Sequence, residues 1–418
     1  MFRYRFSFVA PVAGFVLLVM SWGQVAASER LKVEVRETGG WSRPIYPCTL
    51  TLDRPTSPAP LRFRLIDESS RPIVVQADAE VRGKITRWWL AFPVSLKPHQ
   101  RRVLTLELGP DVTPGPRRSR GHVLEVSGKQ LRIVNAPYLV WTLPTRVGPF
   151  LQSLEFGDQE HLAGPTARLV IKTRSGRTVS LGGPDAPSWK PVRRGPLAVT
   201  LSGEQSVVVK GSDKVGSRVE LDFPVSRSWV RMDWQLDDPG DQVSEIILDV
   251  KLNLDAPTAG EPNLVDFGAG TWVYARLAPG QVASLQAKRS TGDRVDGATP
   301  WSVLKGTARA SEAFVVSDPR RPTRSEGWVH LMDRKRCLAL AVDSFGHEQF
   351  EAIETTAEGI VRVRRVFSRR KVRTGKSLRA WMHFVGFPPQ QVRQQAHVTC
   401  KLHRRSGSCI DRSRGVSW

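Results

Sequence analysis

"SEIILDVKLNLD", Ser244 to Asp255, sets Ile246, Leu248, Val250, Leu252 and Leu254 at every second position. Side chains alternate across a strand, so this spacing makes one apolar face and leaves Glu245, Asp249 and Lys251 on the other. A helix would scatter the same residues around its circumference. "WVRMDWQL" (Trp229 to Leu236) repeats the period with Val230, Met232, Trp234 and Leu236. "RCLALAVDSF" (Arg336 to Phe345) is apolar on both faces, as expected of a central strand covered from each side. Nearer the N-terminus, "RLKVEVRET", "LRFRLID" and "RRVLTLELG" group Leu31, Val33 and Val35, then Leu61, Phe63 and Leu65, then Leu104, Leu106 and Leu108. Thirty prolines and 34 glycines interrupt these segments, with no long helical period between them. The fold class is therefore read as all-β.

The strands fall into two groups. Residues 28–112 read as a small barrel-like β domain, broken by turns such as "RPTSPAP" (Arg54 to Pro60). "TPGPRRSRG" (residues 113–121) combines proline, glycine and arginine and reads as a basic linker. Residues 122–387 then carry many antiparallel strands with no propeller or solenoid repeat, which fits a large two-sheet supersandwich. Residues 388–418 are polar and basic and read as a C-terminal tail, with a short helix expected at Gln390 to His397.

The first residues bear on the compartment. Arg3 and Arg5 precede the apolar run "FVAPVAGFVLLVM" (Phe8 to Met20), and "VAA" (Val25 to Ala27) places small residues before a cleavage point. That is the pattern of a signal peptide over residues 1–27, so the mature chain is expected outside the cytoplasm, secreted or in the cell envelope. No later stretch is long and apolar enough for a transmembrane span. A formal charge of +22 in that location points to an acidic polysaccharide or another anionic surface rather than nucleic acid. Arginines dispersed over solvated strand faces would give the same composition.

Four cysteines allow three disulfide pairings. Cys400 and Cys409 are close enough to staple a loop, whereas Cys48 and Cys337 lie in strand contexts that suit buried thiols. The His and Cys spacings match no structural zinc signature, and no metal or cofactor is implied. There is no Gly-x-Ser-x-Gly and no phosphate loop.

The most concentrated candidate chemistry is a repeated Trp-x-His. "GWVHLMD" (Gly327 to Asp333) and "RAWMHFVGF" (Arg379 to Phe387) place Trp328 beside His330 and Trp381 beside His383 on a strand face. Sugar rings stack on aromatic faces through their axial C–H groups, and an adjacent imidazole can bond hydroxyls or move a proton. The opposite faces carry Val329, Leu331, Met382 and Phe384, which make better core than Trp with His, so the Trp/His face is expected to be the wet one. The alternative is that both pairs are core.

"GIVRVRRVFSRRKVR" (Gly359 to Arg373) is the densest basic segment. Arg362 and Arg364 share a face and could bind carboxylates of a uronic acid chain, or could protect an edge strand from aggregation. If the protein cleaves such a chain by β-elimination, Arg364 would neutralise the carboxylate and His330 or His383 would take the proton. Tyr274, one of three tyrosines beyond the signal segment, would then protonate the leaving oxygen. Glu326, Asp333 and Asp343 are the nearest acids for a hydrolytic alternative.

Three segments together carry a resemblance: "RRGPLAVTLSGEQ" (Arg193 to Gln205), "SRVELDFPVSRSWVRMDWQLDD" (Ser217 to Asp238) and "GWVHLMDRKRCLALAVDSFGHEQF" (Gly327 to Phe350). In this order they resemble the exo-rhamnogalacturonan-lyase-like family, in which a small barrel precedes a galactose-mutarotase-like supersandwich. The resemblance covers about three quarters of the chain and implies fold and substrate class. The helical toroid of the family's lyases has no counterpart here, so no catalytic residue is carried over. The leading expectation is an exported protein that binds acidic polysaccharide without cleaving it. The alternatives are a polysaccharide lyase and a cell-envelope structural protein, and the oligomeric state is left open.

Overall fold

The computed structural model describes residues 28–386 and 398–403, except 39, 41, 58, 119, 136–137, 158, 211–212, 226–227, 290–298, 319–322 and 370–374. Residues 1–27, read above as a signal peptide, the helix expected at 390–397 and Cys409 lie outside the described residues. Among the described residues there is no helix, and the strands form five antiparallel sheets.

The N-terminal unit is a small barrel-like pair of sheets. In the first, Arg101–Gly109 runs between Glu29–Glu37 and Arg62–Ile66, and in the second Ile85–Leu96 runs between Arg43–Pro55 and Gln76–Arg82. The alternating apolar residues meet between them. Val33, Leu65, Leu104, Leu90 and Phe92 are almost wholly buried. Val398–His403 joins the first sheet, antiparallel to Glu29–Glu37, with Cys400 opposite Val35. These six residues, expected in a basic tail, are therefore a strand. Their own sequence alternates Val398, Cys400 and Leu402 with polar residues, a period too short to stand out beside its basic neighbours.

The large unit is a supersandwich of a nine-stranded and an eight-stranded sheet. Their inner faces share one core, to which Val243–Lys251 contributes Ile246, Leu248 and Val250. This strand ends at Lys251, earlier than its pattern suggests, and Leu252 continues only as an isolated bridge to Leu162. Trp229–Asp237 buries Val230, Met232, Trp234 and Leu236 as its period requires. A further five-stranded sheet, from Val123 to Glu160, sets Trp141 edge-on to Phe223 at 5.2 Å and Phe384 at 5.6 Å. Trp141 is fully buried, and its truncation to alanine would cost about 3–5 kcal/mol.

Two strand positions matter for the site. Arg336–Val342 lies between Trp328–Met332 and Lys376–Gly386, and is nearly covered on both faces. Ile360–Val366, the arginine-rich strand, is fourth of eight in its sheet, so it is not an edge strand. Its charge is accommodated by acidic neighbours instead. Cys48 and Cys337 are both buried, and Cys337 is a free thiol.

The two units meet at one end of the nine-stranded sheet. The Gln76 carboxamide accepts from the Leu197 and Ala198 amides at 2.8 and 3.0 Å and donates to the Ala198 carbonyl at 2.9 Å. Trp89 lies 5.0 Å from the Arg193 guanidinium, and Ala91 packs with Leu197, Ala198 and Val225. The linker ends at Gly121, where an added Cβ would sit 2.0 Å from the Pro196 carbonyl oxygen. Only glycine permits that approach.

Candidate functional site

Each Trp-x-His strand turns its aliphatic residues inward. Val329, Leu331, Met382 and Phe384 are buried in the core, so Trp328, His330, Trp381 and His383 all face away from it. Strand order then brings the two pairs together. Trp328 is opposite Ala341, which is opposite Trp381, and His330 is opposite Ala339, which is opposite His383. Two alanines thus form a floor between two Trp/His columns, which stand ~10 Å apart. Trp328 and His330 are half-buried and stacked at 4.7 Å with a tilt of 30°. His383 is half-buried, and Trp381 is 6% exposed.

Both rows extend toward the sheet edge. His330 is opposite Asp266, which is opposite Tyr274; Trp328 is opposite Gly268, which is opposite Trp272. Tyr274 and Trp272 stand on an edge strand and are exposed. His330 Nδ1 is 3.7 Å from Asp266 Oδ2, beyond hydrogen-bond length, while Asp266 Oδ1 is buried without a hydrogen bond. Trp328 Nε1 donates to Glu326 Oε2 at 2.5 Å.

In the other direction the face becomes a buried charge ladder. Trp381 is opposite Arg231, and Arg231 is opposite Asp222. Asp222 accepts from Arg193 at 2.7 Å and Thr200 at 2.8 Å; Arg231 lies 3.0 Å from Asp233, which also pairs with Arg379. Burial works against the charge on Asp222, yet Arg193 and Arg231 outweigh it and hold the carboxyl below its ordinary range. Burial, with Asp266 and Asp333 nearby, pushes the Cys337 thiol far upward, so it acts as a small hydrophobe. Among the described residues no group of three or more His, Cys, Asp or Glu could hold a metal ion.

The structure thus gathers Trp328, His330, Trp381, His383 and Tyr274 on one face and leaves Arg362 and Arg364 elsewhere. Both arginines project from the eight-stranded sheet. Arg362 is bidentate to Asp249 at 2.6 and 3.0 Å, and Arg364 bonds Glu245 at 2.5 Å and Glu354 at 3.1 Å. Arg364 therefore does not share a site with His330, His383 or Tyr274. Of the three acids named for hydrolysis, Glu326 touches the face through Trp328, whereas Asp333 caps a turn through the Lys335 and Arg336 amides. Asp343 lies beyond the end of the Arg336–Val342 strand.

Asp266, Trp272, Arg231, Asp222 and Arg193 were not singled out from sequence. For Arg231 the signal exists: in "WVRMDWQL" the residues between the core positions are Trp229, Arg231 and Asp233, which define the second face. Asp266 carries no local signal, because its importance depends on a neighbour 64 positions away.

No protein-family model matches this chain, and no curated protein matches it. In backbone path it is similar to a glycosyl hydrolase family 38 protein from Enterococcus faecalis, with a TM-score of 0.54 at 9% identity. That match covers 90% of this chain and 48% of the other, so this chain spans about half of its length. An alpha-mannosidase from Enterococcus faecalis V583 gives 0.49 at 8% identity, over 90% and 46% of the two chains. A GalM/aldose epimerase homologue from C. elegans gives 0.32 at 11% identity, over 64% of this chain and 99% of that one. At these identities the likeness is one of fold, and the first match carries it.

Proposed function

We propose that this protein is exported and binds an acidic polysaccharide on the outer face of its nine-stranded sheet. One observation carries the reading: two Trp-x-His strands stand in register on either side of an alanine floor, outside the core. The half-buried Trp328 indole offers the apolar surface that a pyranose ring stacks on, whereas Trp381, expected on the wet face, is 6% exposed and only backs the site. His330, His383 and Tyr274 offer hydroxyl partners at the next step along the strands. The acidic character rests on the chain's net charge of +22 and on the exposed Arg276, which rims this face. Fold likeness to a glycosyl hydrolase family 38 protein supports a carbohydrate ligand. Affinity electrophoresis in gels cast with pectate, alginate or a glycosaminoglycan tests it. At least one should retard the wild type, and Trp328→Ala should migrate freely there. Migration unaffected by every gel overturns the reading. Export predicts a mature N-terminus near Ser28 in the extracytoplasmic fraction.

A second reading, β-elimination on the same ligand, is favoured by Tyr274, Asp266 and His330 standing in one cross-strand row. His330 would take the proton and Tyr274 would protonate the leaving oxygen, with Arg276 replacing Arg364 as the carboxylate's partner. It requires products absorbing in the near ultraviolet that disappear in His330→Ala.

A further inference from the structure

Three tryptophans occupy one cross-strand row, each separated from the next by a small residue: Trp272, Gly268, Trp328, Ala341, Trp381. Neighbouring strands are ~4.8 Å apart, so the three columns repeat every ~10 Å along a line perpendicular to the strands. Trp328 leans over Gly268, where an added Cβ would lie 2.0 Å from its Nε1. Gly268 thus makes room for the Trp328 indole to lie toward Trp272, and Ala341 adds only a methyl between Trp328 and Trp381. Exposure falls along it, from 59% at Trp272 through a half-buried Trp328 to 6% at Trp381. Beyond Trp381 the row continues into Arg231 and Asp222, and all three are buried, so the accessible stretch runs outward from Trp328 to the sheet edge.

A parallel row two residues along each strand, ~7 Å away, holds Tyr274, Asp266, His330 and His383. A single sugar ring would use one indole and one or two of these polar groups. It has no use for a second accessible tryptophan on an edge strand ~10 Å from Trp328. An extended glycan lying across the strands would use both accessible indoles, Trp272 and Trp328, with the buried Trp381 closing the inner end. Alternate rings would meet successive tryptophans, and ring hydroxyls would turn toward the Tyr274/His330 row.

We infer that this row is a track for an extended polysaccharide, with Trp272 as an outer subsite reached only by chains long enough to span two columns. The inference rests on the glycan-binding reading above and adds ligand length and direction. The test titrates wild type, Trp272→Ala, Trp272→Phe and Trp328→Ala with oligogalacturonides from monomer to octamer, and with a neutral cello-oligosaccharide series beside them.

In the series that binds, wild-type affinity should rise with length. Trp272→Ala should match wild type on the shortest ligands and lose roughly tenfold on the longest, about the worth of one stacking contact. Trp272→Phe should restore most of that loss, and Trp328→Ala should be weaker at every length. Because Trp272 is exposed on an edge strand, the melting temperature of its variants should be unchanged. Trp272→Ala that follows wild type at all lengths, or affinity that does not grow with length, overturns the track and leaves glycan binding standing. Wild type that binds neither oligomers nor any polysaccharide gel removes the binding reading, and the track with it.

Discussion

Gly268 decides where Trp328 can lie. Its φ is not in the left-handed region, so any effect of substituting it is steric. Gly268→Ala puts a methyl into the indole's place and should cost about 1–3 kcal/mol through local overpacking. It should also shift tryptophan fluorescence and weaken polysaccharide retardation. Unchanged retardation would mean that the tilt of Trp328 is irrelevant to binding. Asp222 makes a different residue-scale prediction. Its carboxylate compensates Arg193, which is wholly buried, so Asp222→Ala leaves a guanidinium without its counter-charge in the interior. The expected loss is about 3–5 kcal/mol, read by urea unfolding. Of these residues, Trp328 and His330 were legible because they break the chemistry of an otherwise aliphatic strand. Asp222 was not, since an acid in "VELDFP" looks like any solvated strand residue until Arg193 and Arg231 are placed beside it by pairing.

At the scale of elements, the period-2 pattern picks out the core face of strands such as Glu29–Glu37, Trp229–Asp237 and Trp328–Met332, but not of Arg336–Val342, which is covered on both faces. What the pattern left open is strand order, because pairing over long sequence separations is set by packing and not by local alternation. That is why Arg362 and Arg364 could be imagined beside His330 although they project from the other sheet. It follows that the double variant Arg362→Ala/Arg364→Ala should keep polysaccharide retardation, losing only the modest stability of partly exposed ion pairs. Lost retardation would relocate the binding face to the eight-stranded sheet. The returning strand Val398–His403 carries a separate consequence. Removing residues 398–418 uncovers the backbone of Glu29–Glu37 along the six pairs it now makes. A bare edge lowers stability and invites pairing with another chain. The truncated protein should melt earlier and elute partly as a larger species in size-exclusion chromatography, whereas an unchanged melting temperature would show that this pairing contributes little.

For the whole molecule, two buried histidines lead the response to acid, and the half-buried His347, which burial and Arg324 also lower from 6.5, adds to it. His122 follows the linker and is 4% exposed, with Arg118 and Asp222 acting on it; His161 is fully buried near Arg336, Glu160 and Asp333, and neither of its ring nitrogens makes a hydrogen bond. Burial is the main cause that lowers each ring from 6.5 to about 4, reinforced by Arg118 in one case and Arg336 in the other. Both rings are therefore neutral in the folded protein at pH 5, while in the unfolded chain they are protonated. Between pH 6.5 and about 4 the unfolded state binds more protons, so stability falls as pH falls, by ~3 kcal/mol per ring over the whole interval. Asp222, whose carboxyl is held below its ordinary value of 3.8, adds its loss only below that window. The order of events on acidification is then histidines first and paired carboxylates second. Replacing His161 with leucine removes one titrating ring and an unsatisfied polar group while keeping an apolar side chain against Phe156. Urea unfolding of His161→Leu should show stability at pH 7.5 equal to or above wild type, with a loss between pH 6.5 and 4 smaller than the wild type's by ~3 kcal/mol. A variant whose stability falls as steeply as the wild type's would show that acid acts through other groups.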